Sequence, residues 1–270
     1  MRVHTLLAAV LAGLFLPGSA DARVDVLDTI KARGVLVVGT KADYQPFGFR
    51  DLSGAIVGFE PDLAAEVAKK LGVKLELVPV LASDRISLLT QGKVDLLLAT
   101  MNETAERRKQ VDFVEPAYYA SGVNILALKS LHLRVWQQLR AKPVCMIEGS
   151  YYIPEIERRY VPDIAAFKNT GELYAALMQG KCVAAIYDDT AIIGQLQQPE
   201  WRDYEMPLLS ILVEPWGAAV NLGESRFEML LGDLVKKWHR TGRIEALEKR
   251  WNIPVSAFAE EMHRKYQGNP

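Results

Sequence analysis

The chain has 270 residues, of which 50% are hydrophobic and 24% are charged, and its formal net charge is -1. This composition predicts a soluble globular protein with room for two compact units. The balanced charge argues against a nucleic-acid partner and against binding to an acidic membrane surface.

The N-terminal segment has the pattern of a secretory signal peptide. Arg2 precedes an apolar run over residues 6–16, and Ala20-Asp21-Ala22 matches the A-x-A cleavage pattern. We therefore predict a signal peptide over residues 1–22 that is cleaved after Ala22, which places the mature protein in the periplasm. The alternative, a membrane anchor, is disfavoured because the apolar run is too short to span a bilayer.

The residues that follow alternate between short apolar runs and amphipathic stretches. Such an alternation predicts a parallel α/β sheet, whose ligand site lies beyond the carboxyl ends of its strands. Glu60 and Asp62 are expected to stabilise the start of one helix through its dipole. The predicted elements are helices at 24–30, 61–72 and 83–89, strands at 34–39, 75–80 and 94–99, and a hairpin around 51–54.

The stretch after the strand at 94–99 combines the features of an anion site. A polar turn leads to a short helix that begins after Thr104. A helix start offers free backbone N–H groups to an anion, and Arg107 in the first turn can hold a carboxylate by two parallel hydrogen bonds. Lys41 and Arg85 also follow predicted strands at this end of the sheet. The alternative for residues 107–109 is a solvated basic face.

A second series of elements begins after a break in the pattern at residues 118–122. The residues from 259 onwards are expected to form a frayed tail. The predicted strands of this series lie at 123–128, 144–147, 182–187 and 217–221, and the predicted helices at 170–180, 225–240 and 244–251.

Cys145 and Cys182 are the only cysteines, and each begins a predicted strand. In an oxidising compartment they can form a disulfide if the two strands are neighbours, and otherwise they remain two buried free thiols. A metal site is not expected, because no histidine shares their spacing. No cofactor is predicted.

Six short motifs, in a fixed order, carry a resemblance to a known family. They are Gly-Thr-Lys-Ala-Asp-Tyr-Gln-Pro-Phe at 39–47, Gly-Phe-Glu-Pro-Asp-Leu at 58–63, Gly-Lys-Val-Asp at 92–95, the run at 104–113, the crossing at 118–122, and Ala-Ala-Ile-Tyr-Asp-Asp at 184–189. The set resembles the bacterial extracellular solute-binding proteins, family 3, which serve amino-acid ABC transporters. The resemblance implies a monomer that carries a free amino acid to a membrane permease.

The resemblance also implies a fold. It is α/β, the two-lobed periplasmic-binding-protein fold (type II), with two parallel-sheet lobes that are joined by two crossover strands and close on the ligand. The first lobe is expected at 23–117 plus 216–258, the inserted second lobe at 123–212, the hinge at 118–122 and 213–215, and the tail at 259–270.

The family's ligand-binding residues can be carried onto this sequence. Arg107 matches the arginine that holds the ligand's α-carboxylate, and Thr100 and Asn102 match polar residues that share this contact and accept from the ammonium. Asp188 matches the acid that pairs with the α-ammonium. An alternative for Asp188 is the cap of the following helix, a role for which Asp189 competes.

Both lobes are expected to contribute to the site. Tyr44 matches an aromatic residue that stacks on the ligand, although packing alone is the alternative. Gly149, Ser150 and Tyr151 match the second lobe's contribution at a helix start, where they donate to the same carboxylate. A zwitterion taken out of water needs such partners for each of its charges.

Lys41 and Arg85 indicate which amino acid is bound. Both match positions where basic residues meet the side-chain carboxylate in some relatives that bind acidic amino acids, so glutamate or aspartate is the predicted ligand. The alternative is that Asp84 or Glu148 neutralises them in structural ion pairs. The ligand would then be a neutral polar amino acid such as glutamine or cystine.

Two other functional classes are alternatives to a transport-binding protein. The same fold hosts a periplasmic cyclohexadienyl-type dehydratase, in which a buried acid acts on a bound ring, and Glu148 is the residue that could take this role. A ligand-sensing receptor domain is disfavoured because the sequence ends soon after its last predicted helix, with no anchor. The sequence has no pairing of a nucleophile with a base, so we predict a binding protein rather than an enzyme.

Overall fold

The computed structural model describes residues 25–268, so the predicted signal peptide at 1–22 lies outside the described residues. The α-helices are α1 Val26–Arg33, α2 Phe59–Leu71, α3 Arg85–Thr90, α4 Ile153–Tyr160, α5 Thr170–Met178, α6 Asp189–Leu196, α7 Ser225–Arg240, α8 Arg243–Arg250 and α9 Ala257–Gln267. The strands are β1 Val35–Thr40, β2 Asp43–Tyr44, β3 Gly48–Arg50, β4 Ile56–Val57, β5 Lys74–Pro79, β6 Leu96–Leu97, β7 Val111–Phe113, β8 Tyr119–Leu128, β9 Pro143–Ile147, β10 Asp163–Phe167, β11 Ala184–Asp188, β12 Tyr204–Glu205, β13 Ile211–Trp216 and β14 Ala219–Asn221.

The first lobe is built on a five-stranded sheet of order β5-β1-β6-β14-β7. β1 runs parallel to β5 and β6, whereas β14 runs antiparallel to β6 and β7. Helix α2 covers this sheet because Phe59, Leu63 and Val67 recur every four residues and are fully buried. The helix begins at Phe59 after Gly58, two residues before the predicted start, and ends at Gly72 in the left-handed conformation. The predicted hairpin is formed by β3 and β4.

The second lobe is built on a six-stranded sheet of order β10-β9-β11-β8-β12, with β13 also paired to β8. β9 lies between β10 and β11 and is parallel to both, and β8 is antiparallel to β11. Cys145 in β9 and Cys182, just before β11, are bonded with an S–S distance of 2.00 Å, which confirms the predicted disulfide. The predicted α/β fold of two lobes is also confirmed, with the refinement that each sheet is mixed rather than purely parallel.

The chain passes between the lobes twice, and the two passages are paired. Tyr119 at the start of β8 lies opposite Trp216 at the end of β13, followed by Ala120 opposite Pro215 and Ser121 opposite Glu214. The crossings are therefore two antiparallel strands held side by side by backbone hydrogen bonds. The lobe and hinge limits given above remain predictions.

Residues 259–267 belong to α9, so the expectation of a frayed tail was wrong for this part of it. Ser256 caps α9 by accepting a hydrogen bond from Ala259 N at 3.1 Å. Ala259 and Met262 lie on the buried side of the helix, and His263 Nδ1 lies 2.6 Å from the carbonyl oxygen of His239 in α7. These contacts hold the helix to the first lobe. Within residues 25–268, no helix has the length and apolar character that a bilayer crossing requires.

Candidate functional site

A cavity lies between the lobes, at the carboxyl ends of β1 and β11. Eight of the ten predicted ligand-binding residues line it; Tyr44 and Gly149 are not among its described lining residues. Sequence reasoning did not single out Ala82, Tyr152 and Tyr187, which line it as well. The lining residues are Lys41, Ala82, Arg85, Thr100, Asn102 and Arg107 from the first lobe, and Ser150, Tyr151, Tyr152, Tyr187 and Asp188 from the second.

Arg107 is the cation that reaches across the cavity. Its guanidinium donates to the carbonyl oxygen of Asn102 at 2.8 Å and to that of Gly149, in the second lobe, at 3.0 Å. Its backbone N–H donates to Thr104 Oγ1 at 3.2 Å, but the cap position of the short helix is Glu106, which makes no side-chain capping bond. The helix that follows is a 3-10 helix of three residues, so its dipole adds little to anion binding.

The basic run that contains Arg107 divides into a buried and an exposed part. Arg107 is only 9% exposed, and its burial, followed by the nearby charge of Arg85, lowers its pKa to about 9. Arg108 pairs with Glu103 and Glu115 at the surface. The alternative of a solvated basic face therefore describes Arg108 and not Arg107.

Glu60 supports the floor of the cavity, a role that sequence reasoning missed. The sequence predicts only that it stabilises the start of α2 through the helix dipole, and in the structure it is completely buried. Its Oε1 accepts a hydrogen bond from Thr100 N at 2.6 Å and another from the hydroxyl group of Tyr118. Burial raises the pKa of Glu60 to about 7, although both hydrogen bonds and the nearby Arg85 and Lys41 oppose this rise. Thr100 lies at φ 47°, a strained conformation that this contact helps to hold.

Arg85 begins α3 and is almost completely buried at the cavity wall. Its Nη1 donates to the carbonyl oxygen of Ala99 and, at 3.2 Å, to that of Thr100. Its Nε has no hydrogen-bond partner among the described residues. Asp84, which the sequence suggested as its ion-pair partner, instead accepts from Leu81 N at 2.8 Å. Arg85 therefore lines the cavity and has an Nε donor without a partner among the described residues.

Lys41 has an ionic partner, but not one of those anticipated from the sequence. Its side chain is 1% exposed, and Nζ lies 2.9 Å from Asp43 Oδ1, at angles outside those of a hydrogen bond. Asp43 lies two residues further along the chain, in β2. Glu148, the other suggested partner, is half-buried and is not among the described lining residues of the cavity.

Asp188 is the carboxylate of the second lobe, at the end of β11. It occupies the cap position of α6 but makes no side-chain capping bond. Its Oδ2 accepts a hydrogen bond from the Tyr44 hydroxyl group at 3.0 Å. Burial raises the pKa of Asp188 to about 7, with the Tyr44 hydrogen bond acting in the opposite direction. Asp189 accepts from Ser121 Oγ at 2.7 Å instead, so the two acids have separate roles.

Tyr44 lies behind Asp188 and is 1% exposed. Its ring packs against those of Tyr187 and Trp216, with centroids 5.4 and 5.9 Å away, and its hydroxyl group also contacts Thr190 Oγ1 at 2.7 Å. In this arrangement Tyr44 orients the acid.

The arrangement suits binding of a small zwitterion. Cationic groups and a carboxylate line the same buried space, so each charge of an amino acid has an opposite partner there. Among the described residues, no group of three His, Cys, Asp or Glu side chains could hold a metal ion.

Comparisons with known proteins agree with this geometry. The family model for the bacterial extracellular solute-binding proteins, family 3, matches residues 36–254. The ABC transporter glutamine-binding protein GlnH of Bacillus subtilis is 30% identical over 239 residues, which cover 86% of this chain and 86% of that protein. The glutamine-binding protein of Geobacillus stearothermophilus is 33% identical over 190 residues, or 67% of this chain and 72% of that protein.

A solved structure has the same fold. The ancestral amino-acid-binding protein AncCDT-1, described as a precursor of cyclohexadienyl dehydratase, superposes with a TM-score of 0.75 and is 30% identical. The match covers 84% of this chain and 99% of that one.

Proposed function

Since the chain belongs to the bacterial extracellular solute-binding proteins, family 3, we propose that it binds one free polar amino acid and delivers it to the membrane permease of an ABC transporter. The observation that carries the proposal is the buried cavity lined by a guanidinium from one lobe and a carboxylate from the other. We place the mature protein in the periplasm, after cleavage of residues 1–22.

The two charges of the amino acid backbone have separate partners in this proposal. Arg107 binds the α-carboxylate, with Thr100, Asn102 and the second lobe's Ser150 adding hydrogen bonds. Asp188 binds the α-ammonium group, in the orientation set by Tyr44. Each charge then leaves water only to meet an opposite charge, which limits the desolvation cost.

The ligand's side chain meets Lys41 and Arg85, which are donors and require an acceptor. Asp43 already balances the charge of Lys41. We therefore propose glutamine, whose carboxamide oxygen accepts without adding a net charge. Glutamate or aspartate is the second candidate, because Arg85 lines the cavity and its Nε has no hydrogen-bond partner among the described residues.

Closure of the two lobes links ligand binding to recognition by the permease. The bond from Arg107 to Gly149 and the bond from Tyr44 to Asp188 join the two lobes across the cavity. A ligand that engages Arg107 and Asp188 together makes contacts that only the closed form offers, so it shifts the equilibrium towards closure. The permease then recognises the closed pair of lobes.

We propose binding without catalysis. The two relatives described above are named for binding glutamine. Glu148, the residue suggested as a dehydratase acid, is not among the described lining residues of the cavity.

Isothermal titration calorimetry on refolded protein tests the proposal. Wild type should bind glutamine with the highest affinity among the common amino acids. Arg107→Ala should weaken binding at least about 100-fold, because it leaves a buried carboxylate without its partner. Arg108→Ala is the matched control, since Arg108 lies at the surface with Glu103 and Glu115, and its affinity should equal that of wild type. Absence of binding to every amino acid, or normal affinity in Arg107→Ala, would contradict the proposal.

A further inference from the structure

Asp43 connects the cavity to the opposite lobe. One carboxylate oxygen, Oδ1, lies 2.9 Å from Lys41 Nζ. The other, Oδ2, accepts a hydrogen bond from the backbone N–H of Thr170 at 3.1 Å, at the start of α5 in the second lobe. The Asp43 carbonyl oxygen accepts a further bond from Thr170 Oγ1 at 2.5 Å. The carboxylate is therefore held from both sides while the lobes are closed.

The position of Asp43 next to Lys41 changes which ligand groups Lys41 can bind. Lys41 is 1% exposed in its side chain, so its charge acts on the cavity with little screening by water. With Asp43 beside it, the pair has no net charge, although Nζ can still donate hydrogen bonds to a neutral acceptor. A ligand carboxylate placed on Nζ would also lie close to the Asp43 carboxylate, and the two like charges would repel.

We propose that Asp43 is a specificity-determining residue, which makes the cleft select a side chain with a neutral oxygen acceptor over one with a carboxylate. This proposal rests on the proposed function, since it assumes that an amino acid side chain lies against Lys41. The ammonium group of Lys41 donates the hydrogen bond to the ligand's side-chain oxygen, and the charge of Asp43 disfavours a ligand whose side chain is a carboxylate. Because Thr170 fixes Asp43 only when the lobes meet, the discrimination belongs to the closed form.

A simpler role for Asp43 is that of a closing contact with α5. Such a contact would strengthen the binding of every ligand by the same factor, because closure is common to all of them. Selectivity is therefore the quantity that separates the two roles. Thr170→Val provides the matched control, since it removes the Oγ1 bond to Asp43 and leaves the Asp43 carboxylate in place.

The experiment is calorimetric titration of wild type, Asp43→Asn and Thr170→Val with glutamine and with glutamate at pH 7.5. In Asp43→Asn, the ratio of the glutamine Kd to the glutamate Kd should rise at least about tenfold, since the carboxylate repulsion is lost. In Thr170→Val, both affinities should fall by a similar factor and the ratio should stay at the wild-type value.

A second variant covers the case in which Asp43→Asn does not fold. Lys41→Gln keeps Asp43 and removes its counter-charge, so the same ratio should move in the opposite direction, further in favour of glutamine. A ratio within about twofold of wild type in a folded Asp43→Asn or Lys41→Gln overturns the inference. If wild type binds no amino acid at all, the proposed function fails as well, whereas binding with an unchanged ratio overturns only the role of Asp43.

Discussion

Replacing Glu60 with glutamine should remove a pH-dependent part of the protein's stability. Burial raises the pKa of this carboxyl from an ordinary value of 4.5 to about 7. At about 1.4 kcal/mol per pH unit, that rise corresponds to about 3 kcal/mol of unfolding free energy. Glu60 is fully buried, so solvent screening does not reduce this figure appreciably.

The sign of the effect follows from proton binding. Between pH 4.5 and 7, the folded state keeps the Glu60 proton and the unfolded state has lost it. The contribution of Glu60 to stability is therefore fully present below pH 4.5 and is lost as the pH rises through about 7. Ligand-free wild type should gain stability when the pH falls from 8 to 5, and Glu60→Gln should gain about 3 kcal/mol less than wild type does.

Urea unfolding of refolded, ligand-free protein at pH 5 and pH 8 measures this difference. Asp188 has the same environment in both proteins, so its own titration cancels in the comparison. Glu66→Gln is the control, since Glu66 lies on the same helix, where it is half-buried and bonds to Trp238 and Arg243, and its difference in stability between the two pH values should match that of wild type. An identical pH dependence in wild type and Glu60→Gln would refute the assignment of a proton to Glu60.

Two further outcomes are expected. Asp188→Asn should weaken amino-acid binding at least about 100-fold in calorimetry, because the ligand's ammonium would be buried without its counter-charge. Since burial raises the pKa of Asp188 to about 7, wild-type affinity should also fall as the pH is lowered from 8 to 6; a flat profile would contradict the ion pair. Cys145→Ser should lower the unfolding free energy in urea by about 4 kcal/mol, from the chain-entropy cost of the loop that spans 37 residues. Wild type treated with reductant is the matching control and should lose the same amount of unfolding free energy. An unchanged urea midpoint in Cys145→Ser would show that the disulfide does not contribute to stability.

Much of the cavity could be predicted from where strands end. The charged residues Lys41, Arg85, Arg107 and Asp188 each follow a strand or precede a helix, and parallel strands bring such positions to one edge of a sheet. The likeness to a family then supplied the second lobe's Ser150 and Tyr151. These signals are local in sequence, so they can be recognised without knowledge of the tertiary contacts.

Apart from the ion pair between Lys41 and Asp43, the missed contacts depend on residues far apart in the chain. Glu60 reads as an ordinary first-turn acid, and only the approach of Thr100 and Tyr118, 40 and 58 residues away, makes it a buried support. The bonds that Thr170 donates to Asp43 join residues 127 positions apart. The sequence contains a capping residue for helix α9, Ser256. The helix was nevertheless missed because most of its residues are polar and only a narrow apolar side packs against the first lobe.

The strand order of the first lobe has a consequence for the order in which the lobes can form. β14, at residues 219–221, inserts between β6 and β7 and completes a sheet whose other strands all precede residue 114. Every strand of the second sheet lies between residues 119 and 216. A chain that emerges from its N-terminus can therefore assemble the second lobe while the first still lacks an inner strand. The long-range pairing of β14 completes the first sheet, and it becomes available only after every strand of the second sheet has been made.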